Sequence, residues 1–78
     1  MREITLLGTV GCHLCEEAEA LVMPVARRLG VEVRHVDIAD DDTLTQRYAT
    51  TIPVVRREDR DRELGWPFDT DSLYRFLL

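Results

Sequence analysis

Seventy-eight residues leave room for one small domain, and a 45% hydrophobic composition supplies one modest core. Stability in the ordinary per-residue range would be about 4–12 kcal/mol, which argues against an enzyme built around an enclosed chamber. Fifteen acidic residues against ten basic ones give a net charge of −5, and an acidic domain repels phosphate backbones, so no nucleic-acid partner is expected.

Every basic residue is Arg. The longest nearly unbroken apolar stretch, Ala20 to Ala26, is about a third of the length a membrane helix needs, and Pro24 interrupts it. Met1-Arg2-Glu3 turns polar at once, without the apolar run of a signal peptide. The expectation is a soluble cytoplasmic monomer with no membrane partner, folded as a single domain over residues 1–78. Cys12 and Cys15 are the only cysteines. A secreted domain stapled by disulfides would show more, and a Cys-x-x-Cys loop closes too little chain to act mainly as a staple. Reactivity is the better reading of the pair.

In chain order, Ile4-Thr5-Leu6-Leu7 reads as a central strand buried on both faces, ending at Gly8. A turn follows over Gly8-Thr9-Val10-Gly11. From Cys12 onward Ala18, Leu21, Val22, Val25 and Leu29 mark one helical face. The stripe keeps its phase across Pro24, which predicts a kink rather than a stop, and Gly30 predicts the C-terminal cap. Val31 to Val36 alternates as an edge strand does. Asp37 to Asp42 is an acidic turn into a short helix over residues 41–49, with Leu44 and Tyr48 as its buried pair.

Thr50-Thr51-Ile52-Pro53 ends that helix, and Val54-Val55-Arg56-Arg57 begins a third strand. Residues 56–63 are all charged with no net charge, which reads as a solvated hairpin tip rather than an interaction patch. Leu64 and Gly65 close a fourth strand. Trp66-Pro67-Phe68 is an apolar connector beneath the sheet. Asp69 or Thr70 caps a last helix whose apolar face is Leu73, Phe76 and Leu77. The order β-α-β-α-β-β-α predicts an α/β fold: a mixed four-stranded sheet with helices on both faces, opened by a parallel crossover and closed by an antiparallel hairpin.

Cys12-His13-Leu14-Cys15 falls where the first strand has ended and the first helix begins. Free N–H groups and the positive end of the helix dipole favour a thiolate there. Cys12 at the helix mouth is the expected nucleophile. Cys15, one turn inside, is placed to attack a mixed disulfide on Cys12, which is dithiol–disulfide exchange. His13 either lowers the Cys12 pKa by adding positive charge or is an exposed histidine with no role. Glu16, Glu17 and Glu19 read as an exposed helix face, and their charge opposes thiolate formation. A zinc site would need two further ligands, and His13 and His35 are poorly spaced to supply them, so no metal is expected. His35 reads as a partly buried strand histidine. Pro53 stands where a cis-proline would leave the Ile52 backbone groups unpaired, facing an extended peptide.

Together, the Cys12-x-x-Cys15 helix start, the βα unit, Thr51-Ile52-Pro53, the hairpin and the final helix resemble the thioredoxin superfamily in its minimal glutaredoxin form. Gly11-Cys12-His13-Leu14-Cys15-Glu16, Ile52-Pro53-Val54 and Trp66-Pro67-Phe68 are similar to the small bacterial glutaredoxin-like proteins catalogued as a domain of unknown function. The resemblance covers essentially the whole chain. It implies Cys12 as the attacking thiolate, Cys15 as the resolving thiol, and Thr51, Ile52 and a cis Pro53 as the substrate-side loop. The chain departs from glutaredoxins in carrying His13-Leu14 between the cysteines and Leu64-Gly65-Trp66-Pro67-Phe68 in place of a Gly-Gly motif. Asp69 and Asp71 stand as candidates to bind a glutathione amine, and Arg47 as the candidate cationic clamp.

The function expected is a thiol–disulfide oxidoreductase acting on protein or small-molecule disulfides. No cofactor is tightly bound in this reading; glutathione is a candidate co-substrate, and the thiol reductant is unidentified. The alternative is a non-catalytic thioredoxin-fold module that senses redox state or binds a metal or iron–sulfur cluster with a partner.

Overall fold

The computed structural model describes residues 3–78. Four strands form one mixed sheet in the order β2-β1-β3-β4: β1 (Glu3–Gly8), β2 (Glu32–Asp37), β3 (Val54–Arg57) and β4 (Arg62–Gly65). β1 runs parallel to β2 and antiparallel to β3, and β3 and β4 make the hairpin. The helices are α1 (His13–Leu29), α2 (Asp42–Tyr48) and α3 (Thr70–Leu77). The acidic turn expected after β2 is a 3-10 turn over Ile38–Asp40 that buries Ile38.

The sheet separates two apolar layers. Successive strand residues point to opposite faces, so Ile4, Leu6 and Val55 meet α1 and α3, while Leu7 and Val54 meet Ile38 and Tyr48. β1 is buried on both faces because it lies between β2 and β3 with a layer on each side. The larger layer includes Ala18, Val22, Val25 and Ala26 of α1 and Leu73, Phe76 and Leu77 of α3. Ala26 belongs to the stripe although only its larger neighbours signal it. Phe68 is buried in this layer, and Trp66 packs on its ring edge-on, with centroids 5.0 Å apart.

α1 runs unbroken through Pro24, which lies on the exposed side. Gly30 ends it in the left-handed conformation, and the Val31 N–H returns to the Ala26 carbonyl at 2.9 Å. α3 begins with a capping box in which Asp69 accepts the Ser72 N–H at 2.8 Å and the Ser72 hydroxyl receives the Asp69 N–H at 2.9 Å. The Tyr48 hydroxyl donates to Glu63, which ties α2 to β4. Burial and this carboxylate push the Tyr48 phenol above its ordinary range.

The charged run is not wholly the solvated tip expected from its alternating charges. Arg57 is 4% exposed. It shares the sheet face of Val55, and its Nη1 donates to the Phe76 carbonyl at 2.6 Å. Its Nε and Nη2 grip Asp59 at 3.1 and 3.0 Å. The guanidinium tolerates this burial because Nε, Nη1 and Nη2 each have an acceptor, the Asp59 carboxylate reaching it from the surface.

Candidate active site

The turn between β1 and α1 is set from two sides. Gly11 takes φ +79°, a conformation that costs glycine little, and the Cys12 N–H bonds to the Thr9 carbonyl at 3.4 Å. Asp37, the register partner of Gly8 at the end of β2, lies beside this turn. Its carboxylate accepts the Ala39 N–H at 2.9 Å. That bond, then the Thr9 side chain and the Val10 backbone, hold the Asp37 carboxyl below the usual carboxylate range.

The turn delivers Cys12 as the N-cap of α1, with its Sγ accepting the Cys15 N–H at 3.2 Å. Cys12 and Cys15 form a disulfide, their Cα atoms 5.2 Å apart, and both are half-buried. Cys12 thus stands at the positive end of the α1 dipole with a backbone N–H donated to its sulfur, a setting that favours thiolate over thiol once the bond is reduced. Gly8 lies against the inner cysteine. A Cβ built on it would stand 3.1 Å from the Cys15 Sγ.

A cleft of about 390 Å³ opens on the β2 side, bordered by both cysteines and by Glu16, Glu19, His35 and Asp37. His35 departs from its expected place. It is exposed on the edge strand, and its Nε2 lies 2.7 Å from the Glu19 carboxylate. An edge strand has no neighbour to bury a side chain from beyond it, and α1 supplies the acid. The pairing was not readable from sequence because sixteen residues separate the partners. His13 is also exposed, its ring nitrogens 3.8 Å from Glu16 and 3.5 Å from Glu17 on its own helix.

Thr51, Ile52 and Pro53 do not line this cleft. Leu7 opposes Val54, so continuing the register by one step sets Gly8 beside Pro53. The loop thus reaches the Gly8 end of β1 from the β3 side, and the cleft reaches it from the β2 side. The Ile52–Pro53 bond is cis, as is Trp66–Pro67. The Ile52 N–H is not free, contrary to the expectation: it bonds to the Tyr48 carbonyl at 3.2 Å, which also takes the Thr51 N–H at 2.9 Å. These bonds continue the last turn of α2 and occupy the donor a peptide would use.

Two of the three groups singled out for glutathione, Arg47 and Asp69, are engaged elsewhere. Arg47 stacks over the Tyr48 ring at 5.3 Å and reaches Glu63 at 3.9 Å, and Asp69 is consumed as the α3 cap. Asp71 is exposed on α3. Among the described residues, no three His, Cys, Asp or Glu side chains converge to hold a metal ion, and no helix is long and apolar enough to cross a membrane.

No curated protein matches the chain. Among solved structures, protein XcR50 from X. campestris is 36% identical with a TM-score of 0.78, over 95% of this chain and 93% of that one. Protein Ne2328 from Nitrosomonas europaea is 29% identical with a TM-score of 0.80, over 96% and 89%. Thioredoxin 1 from Thermosipho africanus is 16% identical with a TM-score of 0.69, over 96% and 93%, a likeness of fold alone. The family profile described as the glutaredoxin-like domain (DUF836) matches residues 3–78. With a mixed four-stranded sheet, a Cys12–Cys15 disulfide at the first helix start and a family match across nearly its whole length, the chain belongs to the glutaredoxin-like domain family.

Proposed function

We propose that the chain is a thiol–disulfide oxidoreductase acting on protein or low-molecular-weight disulfides. The observation that carries this reading is the Cys12–Cys15 disulfide at the N-terminus of α1, with the Cys12 sulfur itself as the cap. In the reduced protein the Cys12 thiolate attacks one sulfur of a substrate disulfide. A Cys12–substrate S–S bond forms, and the other substrate sulfur leaves as a thiolate that takes up a proton. Cys15 then loses its proton and attacks the Cys12 sulfur. The internal disulfide forms, and the second substrate sulfur leaves as a thiol. Two electrons pass from the dithiol to the substrate, and two equivalents of an external thiol, such as glutathione, return them and leave joined as a disulfide.

The helix start favours the Cys12 thiolate, and His13 adds positive charge beside it when protonated, shared with Glu16 and Glu17. Thr51, Ile52 and Pro53 form the substrate-side loop in this reading, supported by the register that sets Pro53 beside Gly8.

A Cys15→Ser variant tests the proposal. Mixed with a disulfide-bonded substrate, it retains a mixed disulfide on Cys12 that mass spectrometry detects and reductant removes. If no adduct forms, and the reduced wild-type protein leaves a simple neutral disulfide unreduced, the reading fails. A bound metal or cluster in the isolated protein, without turnover, would favour the non-catalytic alternative.

A further inference from the structure

The space beside the disulfide carries charge of one sign. Glu16 and Glu19 border it from α1, Asp37 from the end of β2 and Asp40 from the 3-10 turn. Among the described residues no arginine lines it. Arg27 and Arg28 sit at the far end of α1. Arg47 and Arg56 lie within reach of Glu63, and Arg57 is spent on Asp59 and Phe76. Arg34 opposes Thr5 in the β1–β2 register, on the face opposite Leu6 and His35, and does not border the cleft. The one basic side chain in the lining, His35, is held by Glu19. Beside these acids stands Val10, 89% exposed, and Leu14 between the cysteines is exposed as well.

From this lining, and resting on the exchange activity proposed above, we infer that the site selects disulfides with basic groups next to their sulfurs, as in a protein cysteine flanked by Arg or Lys. The carboxylates draw a cationic flank toward Cys12, and Val10 and Leu14 offer apolar contact beside it. Each half of glutathione disulfide bears one more carboxylate than ammonium, so the same field repels it. The exchange is balanced as before: the dithiol gives two electrons and two protons, the substrate S–S bond becomes two thiols, and the Cys12–Cys15 bond forms. Clustered charge of this kind changes association rates by about ten- to a thousandfold at low ionic strength, and the effect fades as salt shortens the screening length to about 3 Å at 1 M.

The test uses the reduced protein at pH 8 with cystamine, which is cationic, bis(2-hydroxyethyl) disulfide, which is neutral, and glutathione disulfide. Each rate is divided by that of a small neutral thiol with the same disulfide, which removes intrinsic leaving-group differences. The expected order is cationic, neutral, anionic, with cystamine favoured over glutathione disulfide by about thirtyfold at low salt and about threefold or less at 1 M. A Glu16→Gln/Asp40→Asn double variant lowers that ratio at least severalfold. A Glu3→Gln/Glu32→Gln variant makes the same change in net charge at the opposite end of β1 and β2 and leaves the ratio near the wild-type value.

Equal normalised rates at low salt, with the neutral disulfide reacting, overturn the inference. So does an equal loss of preference in both double variants, which would assign the effect to net charge alone. Cysteine-peptide disulfides flanked by Arg or by Glu carry the test to chain substrates, and no preference between them overturns the protein part. Failure to react even with the neutral disulfide overturns the exchange reading, and this inference falls with it.

Discussion

Gly8 packs against Cys15 so closely that a Cβ on the glycine would stand 3.1 Å from the Cys15 Sγ and 3.2 Å from its Cβ. The last residue of β1 is therefore the seat of the inner cysteine. It is also flanked by Asp37 in the sheet register, and by Pro53 one step beyond the β1–β3 pairs.

A Gly8→Ala substitution is expected to strain the oxidised form more than the reduced one. In the disulfide the Cys15 sulfur is fixed by its bond to Cys12, whereas the free thiol can rotate away from an added methyl. The contact with the Cys15 Cβ burdens both states, so only the Sγ share, about 1 kcal/mol, falls on the oxidised form alone; it corresponds to about 20 mV and makes the Cys12–Cys15 couple more oxidising. Equilibration against a thiol–disulfide buffer measures this directly. An unchanged midpoint would show that the sulfur moves aside freely in both states.

Cys12 has a structural task separable from its chemistry, since its sulfur caps α1 through the Cys15 N–H. Serine is a strong N-cap, so Cys12→Ser should be at least as stable as the reduced wild-type protein in urea. Cys12→Ala should lose about 1 kcal/mol. Both variants should fail to reduce disulfides. A Cys12→Ala protein as stable as the reduced wild type would mean that the sulfur contributes nothing as a cap.

The first strand, the apolar face of α1, the hairpin and the α3 capping residue were legible because each rests on local periodicity or on the chemistry of a single position. Cys12 at the helix mouth was legible for the same reason. What escaped depends on partners distant in the chain. The alternating charges around Arg57 look the same whether solvated or not, and only the packing of α3 over β3 shows that its guanidinium meets the Phe76 carbonyl. The contact between His35 and Glu19 exists because α1 crosses beside the edge strand. The Ile52 N–H was expected to be free beside a cis Pro53, and it is bonded because the last turn of α2 extends past the point where its sequence pattern stops.

Arg57 closes the end of α3. The last carbonyls of a helix lack intrahelical donors, and a cation there also suits the helix dipole. Arg57→Met keeps much of the stem but leaves the Phe76 carbonyl without its donor, and is expected to cost about 2–4 kcal/mol in urea denaturation. Arg57→Lys should recover only part of this, because one ammonium cannot reach the carbonyl and grip both Asp59 oxygens as the fork does. A fully stable Arg57→Met protein would mean that solvent replaces the lost bond.

Acid should destabilise the fold through three aspartates whose carboxyls are held below the usual range. Asp37 is lowered by the Ala39 N–H and then the Thr9 side chain, Asp59 by the Arg57 guanidinium, and Asp69 by the Ser72 N–H and then its hydroxyl. A depressed carboxyl releases its proton more readily in the folded chain than in the unfolded one. Its contribution is therefore present above the unfolded value, 3.8 for each, and is lost as pH falls through the lower folded values. The urea midpoint at pH 3 should lie below that at pH 7. Asp59→Asn should narrow the gap, because it removes one of the titrating groups at the cost of some stability at neutral pH. Asp37→Asn should narrow it as well, and in addition loosen the turn at Thr9 and Val10, so that Cys12 in the reduced variant is alkylated at a changed rate. An acid slope left undiminished in each of the Asp37→Asn, Asp59→Asn and Asp69→Asn variants would place the sensitivity in other carboxylates.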